Sequence, residues 1–263
     1  MSVDTWIRLW RAGFAISFFG ATQFLVCVIL AGVFYPGGNF DQMDQAGYSM
    51  GRNFVSDLGR SVSLSGDDND VGGRIFGGSM IVFGVSLLPW FLFMPMQAWD
   101  RPVSLTVAAI AGAIASVALV VAGFHPVDLY PATHHLALFV WVIGIFFSAS
   151  IHALAMLTSR ENLTVVLPLV SVAVAMLAIA YGISATETAA AFVFHRPAVP
   201  LKSVLLEKLV FLAVMIWVFT FSARMLLTTD FSEYLESQSE SEADYFRELE
   251  DDPFRRGGRS PGR

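Results

Sequence analysis

Six long stretches of this chain carry almost no charge, and that feature confines it to a membrane. Residues 12–35, 75–98, 103–124 and 162–185 contain no charged side chain, and 136–158 holds only His152. A sixth stretch, 201–226, is interrupted near its start by Lys202, Glu207 and Lys208 and near its end by Arg224. A helix needs about 20 apolar residues to cross a hydrocarbon core of about 30 Å, and each stretch supplies them. A β-barrel would require polar residues alternating toward a lumen, which these runs lack. The predicted fold is therefore all-α, an integral membrane bundle of six transmembrane helices occupying residues 1–226. Helices are expected at about 12–35, 75–98, 103–124, 135–158, 162–185 and 201–226. Composition agrees, with 55% hydrophobic and 14% charged residues, against about 25% charged in soluble domains.

The first run is 24 residues long and ends in Phe34-Tyr35, an interfacial pair. A signal-peptide core spans only about 7–15 apolar residues, so a retained anchor is expected. Cys27, the single cysteine, falls inside that run and reads as a small apolar residue. From residue 227 onward there are ten acidic and five basic residues. Segment 227–263 is therefore read as an acidic, solvated, disordered tail. Tyr234, Leu235, Tyr245, Phe246 and Leu249 could form a short amphipathic helix there, but no period sustains it.

Six crossings place both termini on one side. Arg8, Arg11, Arg101, Arg160 and Arg224 lie there, against Arg52, Arg60, Arg74, Arg196 and Lys202 opposite, a tie under the positive-inside rule. The two arginines of WIRLWR, just before the first helix, favour cytoplasmic termini in a cell-membrane protein. On the other face, three loops gather His125, His134, His135 and His195 with Asn53, Ser56, Asp57, Asp128 and Glu187. Parity alone collects these polar clusters, which are distant in sequence, on one side of the membrane.

Within the first loop, NFVSDLGR (53–60) combines an amide, a hydroxyl, a carboxylate and Arg60. Ser or Asp in such a stretch can cap a helix, or Asp57 can face a pocket and orient a histidine, hold a metal or act as a base. GFHPVDLYPATHH (123–135) ends the third helix at His125-Pro126 and opens the fourth near His134-His135. Imidazoles and carboxylates suit a divalent metal, but no HxxxH or HExxH spacing is present, so a metal would need ligands from several loops. Glu207 sits one or two turns into the sixth helix, a depth at which a carboxylate usually faces a bundle interior. Lys208 can snorkel to the headgroups, and His152 reads as a hydrogen-bonded packing residue. Ala108, Gly112 and Ser116 form a small-residue stripe that favours close helix packing. DDND at 67–70 lacks EF-hand spacing and reads as a solvated turn. No P-loop, GxSxG, CxxC or dinucleotide fingerprint occurs, and nothing supports nucleic-acid binding.

The combination NFVSDLG (53–59), GFHPVD (123–128) and His134-His135 resembles the six-helix membrane family called domain of unknown function 998. More distantly it is similar to DRAM/FRAG-type membrane proteins, which carry a comparable SD-x-G element. The resemblance covers about 12–226 and implies six helices with the polar motifs on the non-cytoplasmic side. It implies no reaction, though some of the wider relatives act on lipids. Ser56, Asp57, His125 and Asp128 match its motif positions, whereas Glu207 and His195 rest on the residues alone.

Three readings follow. In the first, a membrane enzyme acts on lipid or a lipid-linked group. Asp57, His125, Asp128, His134 and Glu207 would supply acid–base or metal chemistry, and Asn53, Ser56, Arg60, His135 and His195 would bind ligand. In the second, the cluster binds a lipid headgroup or ion without turnover, as a scaffold or sensor. The third is a small proton-coupled transporter with Glu207 and His152 on the proton path. It ranks last, because helices one, two, three and five lack central charges and no discontinuous helix is evident.

Overall fold

A computed structural model describes residues 3–98, 100–160, 166–193, 201–227 and Arg247. Six α-helices account for most of them: α1 (Val3–Phe34), α2 (Asp70–Leu92), α3 (Pro102–Phe124), α4 (Pro131–Thr158), α5 (Val166–Val193) and α6 (Leu201–Leu227). All six contain segments long and apolar enough to cross a membrane. The protein is a multi-pass membrane protein with an all-helical fold. His195, the side chain of Glu187 and the tail from 228 on, apart from Arg247, lie outside the described residues.

Some helices start earlier than the charge-free runs do. α1 includes Arg8 and Arg11, and α2 starts at Asp70 and takes in Arg74. Charged side chains at a helix end can stay in the interface while their backbone remains helical. The expected second helix also stops short of residue 98. α2 carries Pro89 inside its last turn and ends at Leu92, and a 3-10 helix (Met94–Gln97) continues the chain. Proline removes a backbone donor and loosens the ladder around it.

Each helix packs against its neighbours in the chain, and α6 returns to α1, closing a ring. Close approach depends on small residues. A Cβ on Gly144 of α4 would lie 2.8 Å from the Ala111 carbonyl of α3, and one on Gly112 would strike the Phe91 ring of α2. Ala108, Gly112 and Ser116 are all buried, so the α3 stripe is a packing seam. Aromatic side chains fill the ring's interior. Phe24 of α1 stacks on Phe83 of α2 at 4.9 Å, and Trp141 of α4 stacks on Phe211 of α6 at 4.5 Å.

Residues 35–69 cross the bundle end opposite the termini and include a 3-10 helix, Ser56–Gly59. Isolated bridges between Gly37 and Ala46 and between Val62 and Asp68 shape this loop. Gly38 has φ +82°, and a Cβ there would lie 2.2 Å from the Ser65 nitrogen, so only glycine fits.

Candidate functional site

The stretch NFVSDLGR folds back over the bundle, and its polar groups point inward. Asn53 is buried; it donates to the Gly38 carbonyl at 2.8 Å and accepts the Ser49 N–H at 3.0 Å. Asp57 is 3% exposed and accepts hydrogen bonds from the Phe54 N–H (2.9 Å) and the Asn53 amide (3.3 Å). The Arg60 guanidinium lies 3.9 Å from its other oxygen. Burial pushes the Asp57 carboxyl up to about 6, against the opposing pull of Arg60 and the two hydrogen bonds.

Two anchors hold this loop in place. Glu207 of α6 is fully buried and accepts the N–H groups of Val55 (2.5 Å) and Ser56 (3.4 Å) at the start of the 3-10 helix. Its neighbour Lys208 donates to the Asn53 carbonyl and lies 5.7 Å over the Tyr48 ring. Lys208 therefore turns to the loop rather than snorkelling. The second anchor is Asp128, between α3 and α4, which accepts from the Ser61 N–H (3.0 Å), the Ser61 hydroxyl and the Val62 N–H (3.0 Å). Burial raises the Asp128 carboxyl, but these donors outweigh it and hold the group below its ordinary value. Tyr35 braces the far side by accepting the Leu64 N–H at 3.1 Å, and burial pushes its phenol up to about 12.

Beneath the loop lies a pocket of about 570 Å³ between the loop, α4 and α5. Ser56, Asp57, Arg60 and His135 line its polar end, with Tyr181 and Thr186 of α5. Phe40, Phe54, Leu138, Phe139 and Val142 supply apolar walls. A volume of this size, with apolar walls and a few convergent polar groups, suits a small organic ligand.

The remaining candidates take other places. His125 donates from Nδ1 to the Val121 carbonyl (2.7 Å), closing the end of α3. His134 is buried and donates from Nδ1 to the His125 carbonyl (2.8 Å), leaving Nε2 without a partner. Neither these histidines nor Asp128, Asn53 and Glu207 line the pocket; they hold its frame. Among the described residues, no three His, Cys, Asp or Glu side chains gather as a metal would require. The Glu207 and Asp128 carboxylates are instead occupied by N–H and O–H donors of the loop.

Several lining residues escaped the sequence. Tyr181 and Thr186 sit in the loop-side half of α5, and polarity within a mostly apolar run, which Ser171 and Ser184 share, does not single them out. On the terminus side, His152 is fully buried and donates from Nε2 to Gln97 Oε1 (2.8 Å). Its Nδ1 pairs with the Ser171 hydroxyl at 2.9 Å. The packing role expected of His152 is what its geometry provides.

A family model described as permease for cytosine/purines, uracil, thiamine, allantoin matches residues 79–249, about two thirds of the chain. The chain belongs to that permease family. This overturns the resemblance to domain of unknown function 998 and to DRAM/FRAG-type proteins, which rested on short loop motifs. In this permease-family chain Asp128 fastens the loop, and Asp57 accepts hydrogen bonds within it. The match includes α3–α6 with His125, Asp128, His134, His135 and Glu207, but begins after the NFVSDLGR stretch. No curated protein and no solved structure matches the chain.

Proposed function

We propose that this chain is a membrane permease for a small, planar, amide-bearing solute of the kind its family description names. The observation that carries this reading is the pocket of about 570 Å³ in which Ser56, Asp57, Arg60 and His135 converge above aromatic walls. A nucleobase-like ring presents carbonyl and N–H groups on its edge and an apolar face. Arg60 donates to carbonyls, Asp57 pairs with ring N–H groups, and Phe40 and Phe54 cover the face. With both termini in the cytoplasm, the pocket opens to the outside of the cell membrane. Asp57 titrating near 6 supports proton-linked binding. In this reading Asp57, Arg60, Ser56 and His135 touch solute, while Asn53, His125, Asp128, His134 and Glu207 shape the pocket.

The test is uptake of radiolabelled uracil and cytosine into proteoliposomes holding the purified protein, compared with Asp57→Asn. Saturable uptake that the substitution abolishes is expected. Uptake equal to empty liposomes for the family's whole solute range would reject the reading.

One observation favours a second reading. Leu136 and Phe139 line the pocket yet are well exposed on the membrane-facing side of α4, so the pocket is open toward lipid. An amphiphile with a polar headgroup at Arg60 and His135 fits that opening, making the protein a lipid-headgroup binder. Co-purified lipid that displaces uracil would favour this alternative.

A further inference from the structure

A pocket at one face accounts for only the entry of a solute, and the bundle interior below it carries an unexplained feature. Buried polar groups in folded proteins almost always have hydrogen-bond partners, so clustered exceptions call for a reason. Among the described residues, such atoms inside this bundle include Nε1 of Trp141, Trp217 and Trp90, Nε2 of Gln97 and Oγ of Ser148, besides Gln23 Oε1, His134 Nε2 and Ser222 Oγ. The first five follow one another along the bundle. Leu138 and Val142, which flank Trp141, line the loop-side pocket. Trp141, Ser148 and His152 share one face of α4 at spacings of seven and four residues. Trp217 meets Trp90 at 4.7 Å and His152 at 5.5 Å between ring centroids, and His152 holds Gln97. From Trp141 to His152 the rise is about 16 Å along α4, roughly half the hydrocarbon thickness.

The groups that run from Trp141 to Gln97 are four N–H donors and one hydroxyl, Ser148, that can also accept. Such a series suits a solute rich in oxygen acceptors. We propose that Trp141, Ser148, Trp217, Trp90 and Gln97 form the inner route of the permease. Its N–H groups take up the solute's carbonyl oxygens in turn as it moves from the loop-side pocket toward the terminus side. The route rests on the permease reading, but its geometry can be tested without a transported solute.

Cys27 is the single cysteine, so Cys27→Ala gives a thiol-free background. Ser148→Cys places a near-isosteric thiol in the route, and Phe147→Cys places one on the exposed, lipid-facing side of α4 at the same depth. In proteoliposomes, a charged water-soluble methanethiosulfonate should modify the thiol at 148 and spare that at 147, and uracil should slow the reaction. No reaction at 148, while a Ser56→Cys thiol in the pocket reacts, would overturn the route and leave the permease reading standing. Equal reaction at 147 and 148 would overturn it too. Reaction confined to 148 in a protein that takes up no solute would support a water-accessible route and reject the permease reading instead. Trp217→Phe removes the N–H and keeps an aromatic ring. It should slow uracil uptake while uracil binding at the loop-side pocket is retained, and unchanged uptake would overturn the donor role.

Discussion

Glu207 accepts the backbone N–H of Val55 at 2.5 Å, across 152 positions of the chain, from within a membrane-spanning helix. The buried carboxylate is satisfied by loop amides, and those amides begin the 3-10 helix that presents Ser56 and Asp57 to the pocket. Glu207→Ala removes both acceptors and leaves two loop N–H groups unpaired. Hydrogen bonds to charged groups contribute about 1.5–3 kcal/mol each, so the thermal midpoint should fall clearly. Glu207→Gln keeps one acceptor and should fall less. Hydrogen exchange at Val55 and Ser56 reads the effect directly, and unchanged protection in the alanine variant would show that the anchor is idle.

Asp57 sets a pH dependence whose sign is opposite to that of an ordinary ion-paired carboxylate. Its folded value is raised to about 6 from 3.8, so the folded protein holds a proton that the unfolded chain has released. Its contribution to stability is fully present below 3.8 and is lost as pH rises through about 6. Asp57→Asn should flatten thermal stability across that window. Arg60→Gln removes the cation that opposes the rise, so the midpoint of the transition should move to higher pH. A curve in Arg60→Gln that matches the wild type would exclude the Arg60 contribution.

Asp128 behaves the other way. Its carboxyl is held below the ordinary value by Ser61 and Val62 donors, so its contribution is present above the unfolded value and lost as pH falls through the folded one. Asp128→Ala should release the loop around Ser61 and Val62 at a cost of about 1–3 kcal/mol. Trypsin cleavage after Arg60 should then speed up at neutral pH, and equal cleavage rates would count against the anchor.

Two glycines make a matched pair for helix packing. Gly144→Ala would bring a Cβ within 2.8 Å of the Ala111 carbonyl and 2.9 Å of the Ala115 side chain. Backbone cannot yield without separating α3 from α4, so a loss of about 1–3 kcal/mol is expected. Among the described residues, no atom of another element lies within 4 Å of where an alanine methyl would sit at Gly78 of α2. Gly78→Ala should therefore be neutral or stabilising. Denaturation in detergent compares the two, and similar midpoints would argue that the α3–α4 seam is loose.

The helices were legible because hydrophobic runs report burial in lipid residue by residue, without reference to any partner. Loop parity, which needs only a count of crossings, puts Ser56, Asp57, Arg60 and His135 at one end of the bundle. It does not say that these four line a pocket while His125, Asp128, His134 and Glu207 do not. What stayed hidden was every contact that depends on three-dimensional neighbours. Nothing near Glu207 announces Val55, and nothing near Asp128 announces Ser61, 67 positions away. Nothing in the run 75–98 announces that the break after Leu92 brings Gln97 to His152. The short SD and HP motifs pointed to the wrong family because they describe how a loop is fastened, which is local chemistry.

The distance in sequence between the loop and its anchors has a consequence for biogenesis. Val55 leaves the ribosome long before Glu207, and at about 5–20 residues per second the interval is roughly 8–30 s. During that time the loop is complete, while Glu207, which fastens it, is still to be made. The pocket's ceiling is therefore the last part of the protein to be assembled, and it waits on insertion of the sixth helix.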